Sequence, residues 1–285
     1  MNRRRGFGWM LAIAVGAIVA LAAPSSTEAQ MLLGHQYRPH YWDLPTDFEK
    51  PFVFPGQTFV FNSTASSYDA SGKRVAAAPA DTLFGFTLVP EFFKFDPKSD
   101  WAFAFSLNTY EFRAISGGTA VEGVGSVIPA FTGWTKPTAN TTVGFDSLLS
   151  TPFSISSKLN SGTWDAYLRA FGDMNVASFN IEAVVGYQAS FVQRTGTRPQ
   201  DQYHLNGRLG YDVKDVSGLR LRVTPYASAD AQFAVDGSAR ATNVGGGLMV
   251  THRNFTNWSV GYSKTVSGKN VPETNAVLAQ VWFAL

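Results

Sequence analysis

The sequence predicts an all-β fold, a transmembrane antiparallel β-barrel of about 12 strands with short periplasmic turns and longer extracellular loops. Three observations predict it. Apolar and polar residues alternate in segment after segment, as they do in strands with one face in lipid. Aromatic residues make up 14% of the chain and charged residues only 15%, an unusual balance for a soluble exported domain. Beyond the N-terminal segment, no stretch reaches the roughly 18 continuous apolar residues of a membrane helix.

Residues 1–29 predict a secretory signal peptide. Arginines at positions 3–5 precede an apolar run from Trp9 to Ala22, and small residues follow up to Ala29. The run is shorter than the roughly 20 residues of a spanning helix, although an uncleaved N-terminal anchor stays open as an alternative. Cleavage after Ala29 lowers Lys+Arg from 23 to 20 and Asp+Glu from 21 to 20, so the net charge becomes near zero and nothing favours a nucleic-acid partner.

We predict that residues 30–56 form an irregular leader. The barrel that follows is assigned to residues 57–285. Four prolines in the leader disfavour a continuous helix or a central strand. The leader can take one of two positions. It either lies inside the lumen as a plug, which we favour, or extends into the periplasm. Aromatic residues of the leader would supply stacking surfaces for a solute or would pack the leader in place; they are Tyr41, Trp42, Phe48, Phe52 and Phe54.

From residue 57 onward, strands alternate with turns. The clearest strand is Tyr203–Val213, where Tyr203, Leu205 and Leu209 share one face and His204 and Arg208 share the other. The spans predicted in this way are 57–69, 81–94, 101–113, 120–134, 139–150, 163–172, 178–192, 202–213, 218–232, 240–252, 257–266 and 274–285.

The last predicted strand argues for closure. Val277, Ala279 and Val281 share an apolar face, while Gln280 and Trp282 lie on the other. A strand this apolar cannot form a sheet edge that is exposed to water. A closed barrel has no such edge, because its last strand pairs with its first. We expect outer-membrane lipid to cover the apolar face and the barrel-assembly machinery to bind this C-terminal strand.

A secreted β-sandwich also alternates, so alternation alone does not decide the fold. The long aromatic faces favour the barrel, because aromatic girdles mark the membrane interfaces of such proteins. The girdle residues we predict lie toward strand ends and are Trp101, Trp134, Trp164, Tyr187, Tyr203, Tyr211, Trp258 and Tyr262.

Polar residues on the strands should face the lumen. They form either a polar constriction that orients a solute or charge pairs across the lumen that hold the barrel in shape, and we favour the pairs because charges at membrane depth need partners. The candidates are Asp146, Asp165, Arg169, Glu182, Gln188, His204, Asn206, Arg208, Asp212, Arg220, Arg222 and Gln280.

Signals for an enzyme are weak. The chain has no cysteine, and its four histidines show no metal-ligand spacing, so we predict no metal site, no cofactor and no catalytic residues. Ser259, His252 and Asn206 would suit a hydrolase, but nothing in the sequence brings them together. Gly245–Gly247 lacks the residues of a phosphate loop and predicts a bend or room for a neighbouring aromatic ring.

Several stretches resemble the outer-membrane family of transporters called MetA-pathway of phenol degradation. They are Phe54–Asn62 with Tyr68–Lys73, Gly123–Ser126 with Phe131–Trp134, Tyr203–Tyr211, and Lys264 with Lys269–Asn270 and Pro272–Glu273. Ser126 stands where the family tends to have Asp. The resemblance implies an outer-membrane barrel that takes up aromatic or other small hydrophobic molecules. The alternative is a structural or surface-binding barrel with a filled lumen and no transport.

Overall fold

The computed structural model describes residues 44–116, 119–152, 155, 163–193, 200–216, 221–252 and 256–283. In these residues no helix is long and apolar enough to cross a membrane. The predicted signal peptide and most of the predicted leader lie outside them. The strands within them are β1 (Phe52–Val53), β2 (Gly56–Tyr68), β3 (Arg74–Leu88), β4 (Glu91–Phe93), β5 (Trp101–Ser116), β6 (Thr119–Val124), β7 (Ile128–Thr138), β8 (Thr141–Ser150), β9 (Thr163–Val176), β10 (Phe179–Gln193), β11 (Gln202–Tyr211), β12 (Val213–Val216), β13 (Leu221–Ala234), β14 (Arg240–His252), β15 (Asn257–Lys269) and β16 (Val271–Trp282).

These strands close into one antiparallel barrel. β16 pairs with β2, from Trp282 opposite Gly56 to Val271 opposite Tyr68, so the last strand meets the first. Two positions in the wall are each formed by two consecutive strands. β6 and β7 both pair with β5, and β11 and β12 both pair with β13. Around the wall there are therefore 12 strand positions, as predicted. Closure leaves no open sheet edge in the wall.

Inward and outward faces alternate as the sequence predicts. In β10, Phe179, Ile181 and Val185 are exposed, whereas Asn180 and Glu182 are buried. The same alternation runs through β11 and β15, so large apolar side chains cover the outside of the barrel. An apolar outer surface around a polar interior is the arrangement of a barrel that spans a lipid bilayer.

Most predicted girdle residues lie on the outer face, and one does not. The exposed ones are Trp101, Tyr187, Tyr203, Tyr211, Trp258 and Tyr262. The prediction for Trp134 is wrong, because its side chain is 0% exposed. Trp134 lies an even number of residues from Ala130 and Ile128 on β7, so it faces inward as they do. The sequence did not reveal this direction because polar and apolar residues do not alternate cleanly in β7.

Several predicted strand boundaries are wrong. β3 begins at Arg74 instead of 81, and β9 continues to Val176 instead of 172. β15 and β16 are separated only by Asn270, where the predicted spans left a loop of residues 267–273. The cause in β3 is a run of alanines, whose weak strand preference is overridden by pairing with β2. The two-residue turns 139–140 and 177–178 and the long connection 151–162 agree with the predicted alternation of short and long connections. The prediction is wrong for the first connection, which is 69–73 instead of 70–80, and for the last, which is a single residue.

The glycines of β14 make room for an aromatic ring, as the sequence analysis considered. A Cβ atom on Gly247 would lie 2.6 Å from the hydroxyl oxygen of Tyr226, and one on Gly261 would lie 2.4 Å from it. Tyr226 lies on the neighbouring strand β13, opposite Gly247. The missing side chains of β14 and β15 therefore let this ring lie flat along the inner wall.

The first turn of the barrel is closed by Asp69. Its Oδ1 accepts hydrogen bonds from the hydroxyl of Ser71 at 2.7 Å and the backbone N–H of Lys73 at 2.9 Å. These bonds, first that from Ser71, lower the pKa of Asp69 because they stabilise the charged carboxylate. Gly72 follows with a φ of 81°, a left-handed conformation that glycine adopts without strain.

Substitution of Gly56 by Ala should weaken the seam between β2 and β16. A Cβ atom there would lie 2.4 Å from the Trp282 ring, which is buried and cannot shift freely. We expect a loss of about 1–3 kcal/mol in the free energy of unfolding, typical of overpacking. Urea unfolding in lipid vesicles, followed by tryptophan fluorescence, measures this.

Gly172→Ala is the matched control, since a Cβ atom at Gly172 in β9 meets nothing within 4 Å. Equal losses for the two alanine variants would contradict the packing role of Gly56.

Candidate functional site in the barrel lumen

One side of the lumen is polar and carries ion pairs. The Nε of Arg169 lies 2.7 Å from Oδ1 of Asp146, and Nη2 of Arg208 lies 2.5 Å from Oε2 of Glu182. Each pair joins residues that are directly opposite on adjacent strands, β8 with β9 and β10 with β11. These two pairs therefore lie along the wall, and the prediction that they cross the lumen is wrong for them, because each partner is the residue directly opposite on the next strand.

The third predicted arginine that the structure describes is Arg222. Its Nε lies 3.8 Å from Oδ1 of Asp212, and its Nη2 donates to Thr251 at 3.2 Å. Thr224 also donates to Asp212, at 2.6 Å, so this carboxylate is held from two sides. Arg220 lies outside the described residues, so its predicted inward position stays a prediction.

Three further candidates belong to a patch across β10, β11 and β13. Gln188 lies opposite Gln202, His204 opposite Gln232, and Asn206 opposite Asp230. Each of these six side chains has one buried polar atom that makes no hydrogen bond to the protein. The sequence analysis did not name Gln202, Asp230 and Gln232. Alternation could have identified them, because Gln202 lies two residues from His204 on β11, and Asp230 and Gln232 lie an even number of residues from Arg222 on β13.

Gln280 faces inward, as predicted, and accepts a hydrogen bond from Ser259 at 2.9 Å. Its Nε2 donates to Thr58 at 3.3 Å across the seam. Ser259 thus has a structural partner, and it lies opposite Met249, three residues before His252. Asn206 is opposite Asp230 on another part of the wall, so the hydrolase-like trio is not assembled. Among the described residues there is also no group of three His, Asp or Glu side chains that could hold a metal ion.

The other side of the lumen is aromatic at the end where β2 begins and β16 ends, which we call the terminal end. Phe92 packs edge-on against Trp134 with ring centroids 5.1 Å apart, and Phe54 stacks on Trp282 at 5.6 Å. Phe54 and Phe92 also meet at 5.8 Å. These four rings, which we call the aromatic cluster, are all buried and face inward. Sequence analysis identified Phe54 and the inward parity of Trp282 but missed Phe92 and Trp134.

The described part of the leader packs on the aromatic cluster. Phe52 lies 4.9 Å from Phe92, and Phe48 lies 5.1 Å from Phe52. The Nε1–H of Trp134 donates to the backbone oxygen of Pro45 at 3.0 Å, which ties the leader to β7. Tyr41 and Trp42 lie outside the described residues, so their predicted contacts stay predictions.

A cavity of about 60 Å³ lies between the leader and the aromatic cluster. Leu44 of the leader forms one wall, and the four rings of the aromatic cluster form others. The floor is more polar, with Ser106, Asn108 and Thr132 from β5 and β7, and none of the lining residues is charged. The cavity therefore offers an occupant apolar rings and uncharged polar groups and no charge.

The chain is similar to a known family and to several solved structures. The family model described as MetA-pathway of phenol degradation matches residues 43–281. A search of curated proteins found no match. An outer membrane channel from Pseudomonas putida F1 is similar in structure, with a TM-score of 0.70 and 14% identity over 85% of this chain and 99% of that one.

Two further solved structures are more distant. The β domain of the Bordetella autotransporter BrkA has a TM-score of 0.49 and 13% identity, over 82% of this chain and 100% of that one. The CymD monoaromatic hydrocarbon channel has a TM-score of 0.48 and 10% identity, over 84% of this chain and 90% of that one. The similarity to the Pseudomonas channel supports the barrel fold seen here.

Substitution of Glu182 by Ala should strongly destabilise the barrel. It removes the carboxylate that lies 2.5 Å from Arg208, whose side chain is only 6% exposed. Removing one partner of a buried ion pair costs about 3–5 kcal/mol. The double variant Glu182→Met with Arg208→Met should recover part of this loss, because both charges of the pair are removed together.

Glu122→Ala is the matched control. The Arg113 Nε to Glu122 Oε2 distance is 3.9 Å and the side chains are 43% and 59% exposed, so we expect a change of at most about 1 kcal/mol. Urea unfolding in vesicles measures all three variants, and similar losses for Glu182→Ala and Glu122→Ala would contradict the burial argument.

Proposed function

The chain belongs to the MetA-pathway of phenol degradation family, and from this membership we propose that it is a channel of the bacterial outer membrane that takes up small hydrophobic or aromatic compounds. The apolar outer surface supports the membrane location. The fold shared with an outer membrane channel of Pseudomonas putida supports the barrel on which the proposal is built.

The observation that carries this proposal is the inward aromatic cluster. Inward positions of such barrels are generally polar, because they face water or a plug. Here Phe54, Phe92, Trp134 and Trp282 are buried on the inward face, beside a cavity with no charged lining residue. Rings of this kind supply stacking surfaces for an aromatic solute.

We assign the leader the role of a plug at the terminal end. Leu44, Phe48 and Phe52 pack against the aromatic cluster, and Pro45 accepts a hydrogen bond from Trp134. In this proposal a solute enters among the outer loops, follows the lumen and displaces the leader. The signal peptide 1–29 directs export, and the barrel-assembly machinery binds the C-terminal strand.

A structural barrel with a filled lumen is the second candidate. The near-complete burial of many inward polar side chains, such as Gln188, Gln232 and Asn180, favours it. Against it, the ion pairs Asp146–Arg169 and Glu182–Arg208 join neighbouring strands. These two pairs therefore lie along the wall and do not by themselves fill the centre of the lumen.

Single-channel conductance of the mature protein in a planar bilayer tests the proposal. We expect little conductance from the protein alone, because the leader closes the terminal end. Addition of an aromatic such as toluene should change the conductance, since a barrel with a solute site responds to its solute. Large steady conductance would instead indicate a water-filled pore, and indifference to every aromatic tried would favour the structural barrel.

Substitution of Trp134 by Phe should loosen the leader while keeping a ring in the aromatic cluster. The variant loses the hydrogen bond from Nε1 to the Pro45 oxygen, which contributes about 0.5–1.5 kcal/mol. Channel openings should therefore become several-fold more frequent, and deletion of residues 31–50 should raise permeability further.

Trp258→Phe is the control, because Trp258 is exposed on the outer face of β15. Wild-type opening frequency in Trp134→Phe together with unchanged permeability after the deletion would count against the plug.

A further inference from the structure

Asp230 is a buried carboxylate without a positively charged partner. It lies on the inward face of β13, and the residue is only 4% exposed. Other buried carboxylates of the wall, such as Asp146 and Glu182, form ion pairs with arginines. Within the described residues, no lysine, arginine or histidine side chain forms an ion pair with Asp230. A charge at this depth needs a partner, so a cation from solution would stabilise this carboxylate.

A chain of hydrogen bonds through consecutive strands fixes the amides around Asp230. The backbone N–H of Thr274 donates to Oγ1 of Thr265 at 3.1 Å, and the hydroxyl of Thr265 donates to Oδ1 of Asn243 at 2.7 Å. Asn243 therefore turns its amide nitrogen toward Asp230 and donates to Oδ2 at 3.1 Å. Gln232 donates to the same oxygen, also at 3.1 Å. The barrel wall thus holds the carboxylate in one position.

The free atoms of this carboxylate and its neighbour are acceptors. Both hydrogen bonds reach Oδ2, and Oδ1 of Asp230 makes no hydrogen bond to the protein. Because the amide nitrogen of Gln232 is bound to a carboxylate, the atom of Gln232 without a partner is its oxygen, Oε1. Gln232 is 1% exposed. Acceptors without a donor at this depth are rare in folded proteins.

Strand β11 adds polar groups beside this pair. Asn206 lies directly opposite Asp230, and His204 lies directly opposite Gln232. Residues opposite one another on the same face have Cβ atoms about 4.5–5.5 Å apart, so the Asn206 side chain is within reach of a ligand bound at Asp230. No hydrogen bond in the described residues fixes the amide of Asn206, so it can turn its oxygen toward a cation.

We propose that Asp230 is the centre of a binding site for a monovalent cation on the polar side of the lumen. The cation binds Oδ1 of Asp230, and the amides of Gln232 and Asn206 provide uncharged oxygens at the neighbouring positions. A sodium or potassium ion offers this chemistry, and so does the ammonium group of a primary amine, which has only donors. The inference is independent of the proposed uptake of aromatic compounds.

The charge of the site favours a monovalent ion over a divalent one. Calcium sites generally combine six to eight oxygen ligands with several carboxylates, whereas this site has the single carboxylate of Asp230. In the part of the chain that the structure describes, no group of three His, Asp or Glu side chains could hold a metal ion. Asp230 lies near the end of β13 at Ala234, and β13 begins at the terminal end, so the site is separate from the aromatic cluster.

Sodium-23 NMR relaxation of the mature protein in zwitterionic detergent micelles tests the site, with protein-free micelles as the blank. Bound sodium relaxes faster than free sodium, so binding adds line width. Asp230→Asn keeps the shape of the side chain and removes its charge, and it should weaken sodium binding by about 10-fold or more. Methylammonium should displace the sodium at concentrations at which tetramethylammonium, which has no N–H donor, does not.

Asp236→Asn is the matched control. Asp236 is exposed in the turn between β13 and β14, so this variant loses the same formal charge and should bind sodium as the wild type does. If Asp230→Asn does not fold, urea unfolding of the wild type keeps the test valid. A bound ion stabilises the folded state, so the midpoint should be higher in sodium chloride than in tetramethylammonium chloride of equal ionic strength.

Sodium binding that is lost in Asp230→Asn and kept in Asp236→Asn supports the site. Displacement by methylammonium then identifies an amine solute as a ligand, whereas sodium binding that methylammonium leaves intact restricts the site to the inorganic ion. Equal sodium binding by the wild type and Asp230→Asn, or equal unfolding midpoints in the two salts, overturns the proposal. Displacement by calcium at far lower concentration than by potassium overturns the assignment to a monovalent ion.

Discussion

The pairing of β16 with β2 is the interaction on which the rest of the structure depends. In lipid no water satisfies backbone N–H and C=O groups, so a sheet must close on itself before it can span a bilayer. Closure runs from Val271 to Trp282, and beyond it Phe283 donates a backbone hydrogen bond to Pro55 at 3.0 Å. The seam therefore does more than close the wall. It carries Trp282 against Phe54 and thereby builds one side of the aromatic cavity.

The two sides of the interior differ in chemistry, one being polar and the other aromatic. On β8 to β13, charged side chains at membrane depth find partners on the adjacent strand, as Glu182 does with Arg208. On β4, β5, β7 and β16, small residues such as Ala102 and Ala104 leave space that the aromatic rings and the leader occupy. Polar pairs hold the shape of one side, while the described lining of the cavity beside the aromatic cluster carries no charge. An apolar, uncharged surface is the side that a hydrophobic solute can use.

Alternation along the strands predicted the barrel, its 12 strand positions and the inward direction of residues such as Glu182, Arg208 and Gln280. It worked because lipid on one face enforces a strict period of two. It failed where that constraint is weak. The alanines before Thr82 carry little contrast between faces, so the start of β3 was placed too late, and Trp134 was assigned to the outer girdle because aromatic residues suit either side of this wall. The presence of Asn108 and Trp282 in the lining of one cavity depends on the closure of the barrel, which no local pattern encodes.

The contacts that hold the leader in its proposed plug position are modest in energy. The leader is held by ring contacts such as Phe52 with Phe92, each contributing about 0.5–1.5 kcal/mol beyond burial, and by the bond from Trp134 to Pro45, which contributes a similar amount. A solute that binds the same rings supplies interactions of the same kind and size. A ligand shifts an equilibrium only by its difference in affinity between two states, and a solute that takes the leader's place on these rings binds only the displaced state. Opening would then follow from occupancy of the cavity by the solute, and the closed state would need no other trigger.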